Sequence, residues 1–148
     1  MGRLSKPVNT VKVSVGVVRN AKGEILLAQR PLSADYGGLW EFPGGKVELN
    51  ETTEQALVRE LKEEIGIELK GYQWLMQVHH HYPNKQVELN VWTVHDFCGD
   101  PQGVEGQCLK WVSLEQLRDY PVLTANDVII DAITQKRDPS SLLCNDEA

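Results

Sequence analysis

The stretch TTEQALVRELKEEIG, residues 52–66, constrains this chain more than any other. Thr52 with Gln55 three positions on makes a capping box and Gly66 supplies a C-terminal stop, so a helix is predicted between them. On a wheel of about 100° per residue, Leu57, Val58, Leu61 and Ile65 fall in one sector and Ala56, Glu60, Glu63, Glu64 and Ile67 in another. One face is built to bury, and the other gathers three carboxylates. Glu60 stands i,i+4 to Glu64 and i,i+3 to Glu63, spacings that cost about 0.2–0.5 kcal/mol per like-charged pair without a counter-charge. Between residues 41 and 66, seven Glu against three Lys/Arg leave −4 of the chain's net −6. The acidity is therefore local, and a bare anionic face argues against direct nucleic-acid or membrane binding.

Two explanations compete for the strip. It is either the solvated face of an amphipathic helix, its repulsion blunted by Arg59 and Lys62, or a ligand set for a cation. Pro43, Gly44 and Gly45 just upstream favour the second, because glycines let backbone carbonyls approach a ligand closely. Carboxylates, a carbonyl and water are the hard oxygen donors that suit Mg²⁺ or Mn²⁺.

Around the helix, VKVSVGVV (Val11–Val18) and ILLAQR read as two strands joined by the turn RNAKGE into a hairpin. PLSADYGG (Pro31–Gly38) reads as a mobile loop, and LWEF as a short extended piece ending at the Pro43-Gly44-Gly45 break. YQWLMQVHHHY and VELNVWTVHDF are β-type runs about the turn PNK, and LKWV is a shorter one. SLEQL and TANDVIIDAITQKR read as helices, each opened by a Ser or Thr cap. Mixed hairpins and helices favour α+β, a sheet flanked by helices, over a doubly wound parallel sheet. The 148 residues fit one domain, with a core over about residues 8–137 and a polar tail from Asp138 that is expected to fray.

A resemblance rests on the same residues. Gly45, Glu51 and Arg59-Glu60-Leu61-Lys62-Glu63-Glu64-Ile65-Gly66-Ile67 reproduce the Nudix box, G-x5-E-x7-R-E-U-x-E-E-x-G-U, at all nine specified positions. VGVVRNAKGEILLAQR, WEFPGGKVE, VEGQ and TAND, spread from Val11 to Ile133, are similar to segments of the MutT-type 8-oxo-dGTP diphosphatases within that family. The resemblance implies an α/β/α sandwich with a mixed sheet, and Mg²⁺-dependent hydrolysis of a nucleoside triphosphate by water attack at the β-phosphorus. It also implies that Gly44, Glu60, Glu63, Glu64 and Glu105 hold metal, with Glu60 the first choice and Glu63 the second as general base. Glu51 is implied to pair with Arg59 rather than touch metal, Asn126 to read the base, and Arg30 to lie near the nucleotide. Phe42 is divided between core packing and base contact. Asp35 and Lys85 depart from the resemblance, standing where histidine and arginine are expected at the edge of the nucleotide pocket.

Other substrates stay open with the same chemistry: CTP, 5-modified dCTP, a dinucleoside polyphosphate or ADP-ribose. A non-catalytic nucleotide-binding module is the alternative of another class, and the intact glutamate set speaks against it. His79–His81 resemble a metal tract, but side chains alternate across a strand, so at most two could share an ion. Asn126, just after Thr124, could equally be serving as a helix cap. Trp40, Trp74, Trp92 and Trp111 are core candidates. Three cysteines, Cys98, Cys108 and Cys144, make no C-x-x-C pair, and the N-terminus lacks an apolar run and carries Lys6 where myristoylation requires Ser or Thr. A monomer in a reducing cytoplasm, acting on a small nucleotide, is the expectation.

Overall fold

The computed structural model describes residues 9–135. Along the chain run β1 (Thr10–Val18), β2 (Ile25–Gln29), β3 (Trp40–Glu41), β4 (Gly44–Lys46), α1 (Thr53–Ile65), β5 (Glu68–Tyr82), β6 (Lys85–Cys98), β7 (Leu109–Val112), a 3₁₀ turn (Leu114–Asp119) and α2 (Thr124–Gln135). The expected tail from Asp138 lies outside the described residues.

A four-stranded sheet has the order β4-β1-β6-β5, and a three-stranded sheet the order β3-β2-β7. β1 runs parallel to β6 over nine paired positions, Thr10↔Gln86 to Val18↔Val94, while β4 and β5 pair antiparallel to their neighbours. The sheet is mixed, as expected for the α+β class. The expected β1–β2 hairpin is corrected: the two strands belong to different sheets and touch through the single bridge Arg19↔Ile25. Asn20 accounts for the sharp turn, since its Oδ1 accepts from the amides of Lys22 and Glu24 and so curls the connection back on itself.

Alternation along β1 divides the core in two. Val15 and Val17 join β6, β2 and the α2 residues Ala125, Ile129, Ile130 and Ile133. Val18 joins Leu26, Val94 and the α1 residues Leu57, Leu61 and Ile65 on the other side. Helices therefore cover both faces, giving the sandwich. Gly16 lies against Leu57 and Leu61, and its missing side chain lets α1 settle onto β1. Ser14, fully buried, donates from its hydroxyl to the Thr53 carbonyl at 2.6 Å and pins the start of α1 to the same strand.

α1 obeys its sequence: Thr52 accepts from the Gln55 amide, the Gln55 side chain accepts from the Thr52 amide, and Gly66 closes the helix in the left-handed region. Ser113 takes the extended cap position ahead of the 3₁₀ turn, as expected, but makes no side-chain cap bond; Thr124 is the first residue inside α2 rather than its cap. The supposed Pro-Gly-Gly break is also corrected, because Gly44–Lys46 is a strand paired with Val13–Val15. Neither Gly44 nor Gly45 has positive φ. Glycine is needed there for close approach: a Cβ at Gly44 would strike the Ser14 carbonyl, and one at Gly45 would strike the Glu60 carboxylate. Of the four tryptophans, Trp40, Trp92 and Trp111 pack against the core, but Trp74 is 54% exposed.

Candidate active site

Arg59 organises the acidic end of α1. Its Nε donates to Glu51 Oε2 at 2.7 Å and its Nη2 to Glu51 Oε1 at 2.9 Å, a two-pronged pairing of fork with carboxylate. The same guanidinium donates to the Lys46 carbonyl at 3.0 Å, to Glu60 Oε2 at 3.0 Å and to Glu63 Oε1 at 3.2 Å. Glu51 in turn accepts from the Glu48 amide at 2.8 Å. The Arg59 bond and that amide hold the Glu51 carboxyl down at about 2, well below the ordinary range. Arg59 thereby ties helix, β4 and the intervening loop into one unit, and Glu51 faces arginine as anticipated.

The glutamates of the strip separate by environment. Glu63 is 60% exposed at its side chain, and Glu60 is far more enclosed, against Gly45. Glu64 accepts from the Gly44 amide at 3.2 Å. Burial is the main reason its carboxyl rises to about 8; the Gly44 amide opposes this, and the charges of Glu60, Glu41 and Glu105 add to it. Among the described residues, no three His, Cys, Asp or Glu side chains are drawn together closely enough to hold an ion. Glu60 and Glu63 lean on Arg59, and Glu64 on Gly44. The donor chemistry nonetheless fits a divalent cation, since Glu64 is buried, has no arginine or lysine partner of its own among the described residues and feels the charges of Glu60, Glu41 and Glu105, a repulsion that a cation relieves.

A cavity of about 200 Å³ joins Glu64 to Glu105, with Gln29, Arg30, Glu41 and Gln107. Glu105 is carried there by its loop: the Gln107 side chain donates to the Glu64 carbonyl at 3.1 Å, the Val104 amide to that carbonyl at 3.3 Å, and the Glu105 amide to Gln107 Oε1 at 2.9 Å. Glu41 was missed in the sequence. Burial raises its carboxyl above the ordinary range against the opposing charge of Arg30, whose Nη1 lies 3.3 Å away. The available signal was a lone carboxylate inside the apolar run LWEF.

Arg30 also lines a second cavity of about 490 Å³ with Asp35, Tyr36, Tyr82, Lys85 and Leu123. Both Asp35 and Lys85 thus stand at one pocket. The Pro31–Gly38 loop, expected to be mobile, is braced by Arg30 Nε donating to the Asp35 carbonyl at 2.9 Å and by the Gly38 amide donating to the Arg30 carbonyl at 3.0 Å. Asn126 is 5% exposed, and its Oδ1 accepts from the Phe42 amide at 3.2 Å. It reaches away from its own helix, so the cap explanation is set aside. The Phe42 ring, 3% exposed, is part of the core. His79 to His81 alternate across β5, with His80 against the Tyr82 ring and His79 hydrogen-bonded to Gln77.

A family model described as NUDIX domain matches residues 14–132. The chain is 42% identical over 123 residues to the CTP pyrophosphohydrolase of Escherichia coli (strain K12), covering 83% of this chain and 91% of that protein. It is 38% identical over 122 residues to the 8-oxo-dGTP diphosphatase of the same strain, covering 81% and 93%. Among solved structures, the solution structure of the E. coli ORF135 protein superposes with a TM-score of 0.79 at 39% identity, covering 89% of this chain and 94% of that one.

Proposed function

The chain belongs to the NUDIX domain family, and from that premise we propose that it hydrolyses 8-oxo-dGTP to 8-oxo-dGMP and pyrophosphate with Mg²⁺, as a monomer acting on free nucleotide in the cytoplasm. The observation that carries this is the pair of adjoining cavities sharing Arg30. One is walled by Glu41, Glu64 and Glu105, and the other is large enough for a nucleoside.

Bound Mg²⁺ supplies neutralisation of phosphate charge and a lowered pKa for water. Gly44, Glu60, Glu63, Glu64 and Glu105 are the residues that would hold it. Glu60, enclosed against Gly45, takes the proton as the water oxygen bonds to the β-phosphorus. The bond from that phosphorus to the oxygen bridging to the α-phosphorus breaks, and the monophosphate leaves. Glu63, more exposed and tied to Arg59, is the second choice as base. Arg30 lines both cavities and in this reading meets the phosphate nearest the nucleoside.

At the base, 8-oxoguanine presents an N7 proton beside the O6 acceptor, whereas guanine presents two acceptors. The Asn126 carbonyl has two lone pairs. One accepts from the Phe42 amide; in this reading the second would accept from the N7 proton and the side-chain NH₂ would donate to O6. Ordinary guanine would set its N7 against that carbonyl.

CTP is the second reading, favoured by the relative named CTP pyrophosphohydrolase. Purified protein assayed with Mg²⁺ on 8-oxo-dGTP, dGTP, CTP and dCTP, reading pyrophosphate, decides between them. Highest kcat/KM on 8-oxo-dGTP is expected; preference for CTP or dCTP would overturn the base assignment, and phosphate as the primary product would move the attack to another phosphorus.

A further inference from the structure

The walls of the larger cavity carry a feature that the hydrolytic chemistry leaves unused. Tyr36 and Tyr82 face one another across it, ring centroids 6.3 Å apart and planes tilted by 45°. They reach this position from separate parts of the sequence. Tyr82 ends β5, braced edge-on by His80 at 4.6 Å. Tyr36 sits in the Pro31–Gly38 loop and is 57% exposed.

The loop is built to present that ring. Tyr36 holds φ of +60°, the left-handed region that residues with a Cβ rarely adopt. Strain of this kind persists only where the surroundings enforce it, and it gathers at ligand clamps. Here the enforcement is visible. Gly37 lies so close to the Pro31 and Leu32 carbonyls that a Cβ would strike both at about 2.5–2.6 Å. The Leu39 amide donates to the Tyr36 carbonyl at 3.3 Å, and the Ala34 amide to the Pro31 carbonyl at 3.0 Å. Lys85, its ammonium 5.8 Å from the Tyr82 centroid, adds a cation at the same cavity.

We propose that Tyr36 and Tyr82 form an aromatic clamp that holds the substrate's nucleoside by stacking; this rests on the nucleotide reading above. Two rings at this spacing and tilt need to open only slightly to admit a flat base, and aromatic walls accept any base while gripping the larger purines over more area. The clamp is thus a source of affinity, and the Asn126 amide a source of discrimination. Arg30, which lines both cavities, places the clamped nucleoside so that its phosphates run toward Glu41, Glu64 and Glu105.

The test uses the full chain with Mg²⁺ and the fluorescent product analogue 2-aminopurine deoxyriboside 5′-monophosphate, whose emission is quenched on stacking. Quenching is expected with the unaltered protein and with Tyr36→Phe and Tyr82→Phe. In Tyr36→Ala and Tyr82→Ala, Kd should rise roughly 5- to 100-fold. In hydrolysis the alanine variants should raise KM with little change in kcat, more for purine than for pyrimidine triphosphates. Should Tyr82→Ala fail to fold, the loop variant Tyr36→Ala decides alone. Unchanged Kd and KM in folded Tyr36→Ala would overturn the clamp, even with 8-oxo-dGTP still the preferred substrate. A preference for CTP in the unaltered protein, with KM still dependent on both rings, would instead defeat the base assignment and uphold the clamp.

Discussion

The Phe42 amide donates to Asn126 Oδ1 across 84 positions of sequence, joining the link between β3 and the glycine pair to the first turn of the last helix. Asn126→Ala leaves that amide without its partner in the interior, a loss of about 1–3 kcal/mol. It also removes both groups offered to the oxidised base, so kcat/KM on 8-oxo-dGTP should fall roughly 10- to 100-fold or more while dGTP changes much less. Asn126→Asp keeps an acceptor for Phe42 and loses the NH₂, so it should melt closer to the unaltered protein yet lose the same selectivity. Equal losses on both nucleotides would make Asn126 a structural residue only.

Glu60→Gln preserves size and helix propensity but cannot accept the proton. Turnover should drop by about 10²- to 10⁴-fold, the usual range for loss of a general base, with the circular dichroism spectrum unchanged. Near-normal turnover would transfer the role to Glu63 or Glu105.

Glu64 supplies a pH signature. Its folded carboxyl titrates near 8, above the ordinary 4.5, because of burial and neighbouring charge. Between those values the folded state keeps a proton that the unfolded state has released, so metal-free stability falls as pH rises through that window. Melting scans from pH 5 to 8 without metal should show this decline, and Glu64→Gln should flatten it. Mg²⁺ or Mn²⁺ at millimolar concentration should raise the melting temperature at pH 8, and calorimetry in buffers of different ionisation heat should detect proton release on binding. A melting temperature indifferent to metal in both proteins would make the strip a solvated face.

The opposite sign holds at Glu51. Its folded carboxyl sits near 2, below the ordinary 4.5, so its contribution is complete above about 4.5 and is lost as pH falls toward 2. Glu51→Gln should therefore lower the melting temperature at neutral pH and converge with the unaltered protein in acid. Arg59→Lys retains a charge but not the fork, freeing Glu60 and Glu63 to wander. Steady-state assays should register a fall in turnover of roughly 10- to 100-fold, since small misplacements of catalytic groups cost that much. Unaltered turnover in Arg59→Lys would show that Glu60 keeps its place without arginine.

The ends of helix α1 were legible almost to the residue, because its cap and its glycine stop are local features; the wheel placed its faces less well, since Ala56 of the acidic sector is fully buried and Val58 of the apolar sector is only half-buried. The Glu51–Arg59 pairing followed from family resemblance; the resemblance gave Glu105 only as a more distant ligand, and its place in the same cavity as Glu64 came from the structure. What escaped was non-local. Val11–Val18 and Ile25–Gln29 look like a hairpin in one dimension, but β1 finds partners in β4 and β6 that no short-range pattern announces. Gly44–Lys46 reads as a break because two glycines and a proline mask a strand whose glycines answer to packing. Glu41 hid in an apolar run; Ser113 does take the cap position but without a side-chain bond, and Thr124, inferred as a cap from residue type, lies inside its helix.

The pairing of β1 with β6 bears on the order in which the molecule assembles. The β5–β6 hairpin closes over a two-residue turn and can form early, whereas β1 must find β6 from a distant part of the chain, a slow search by loop-closure entropy. Until it does, Gly44–Lys46 has no edge to join and Ser14 cannot anchor the start of α1. A nascent or truncated chain can thus possess every glutamate of the strip, wound on a nearly complete helix, and still be catalytically silent. The site is thus assembled by a strand to which no catalytic role is assigned, through its pairing with β4 and the Ser14 bond to the start of α1.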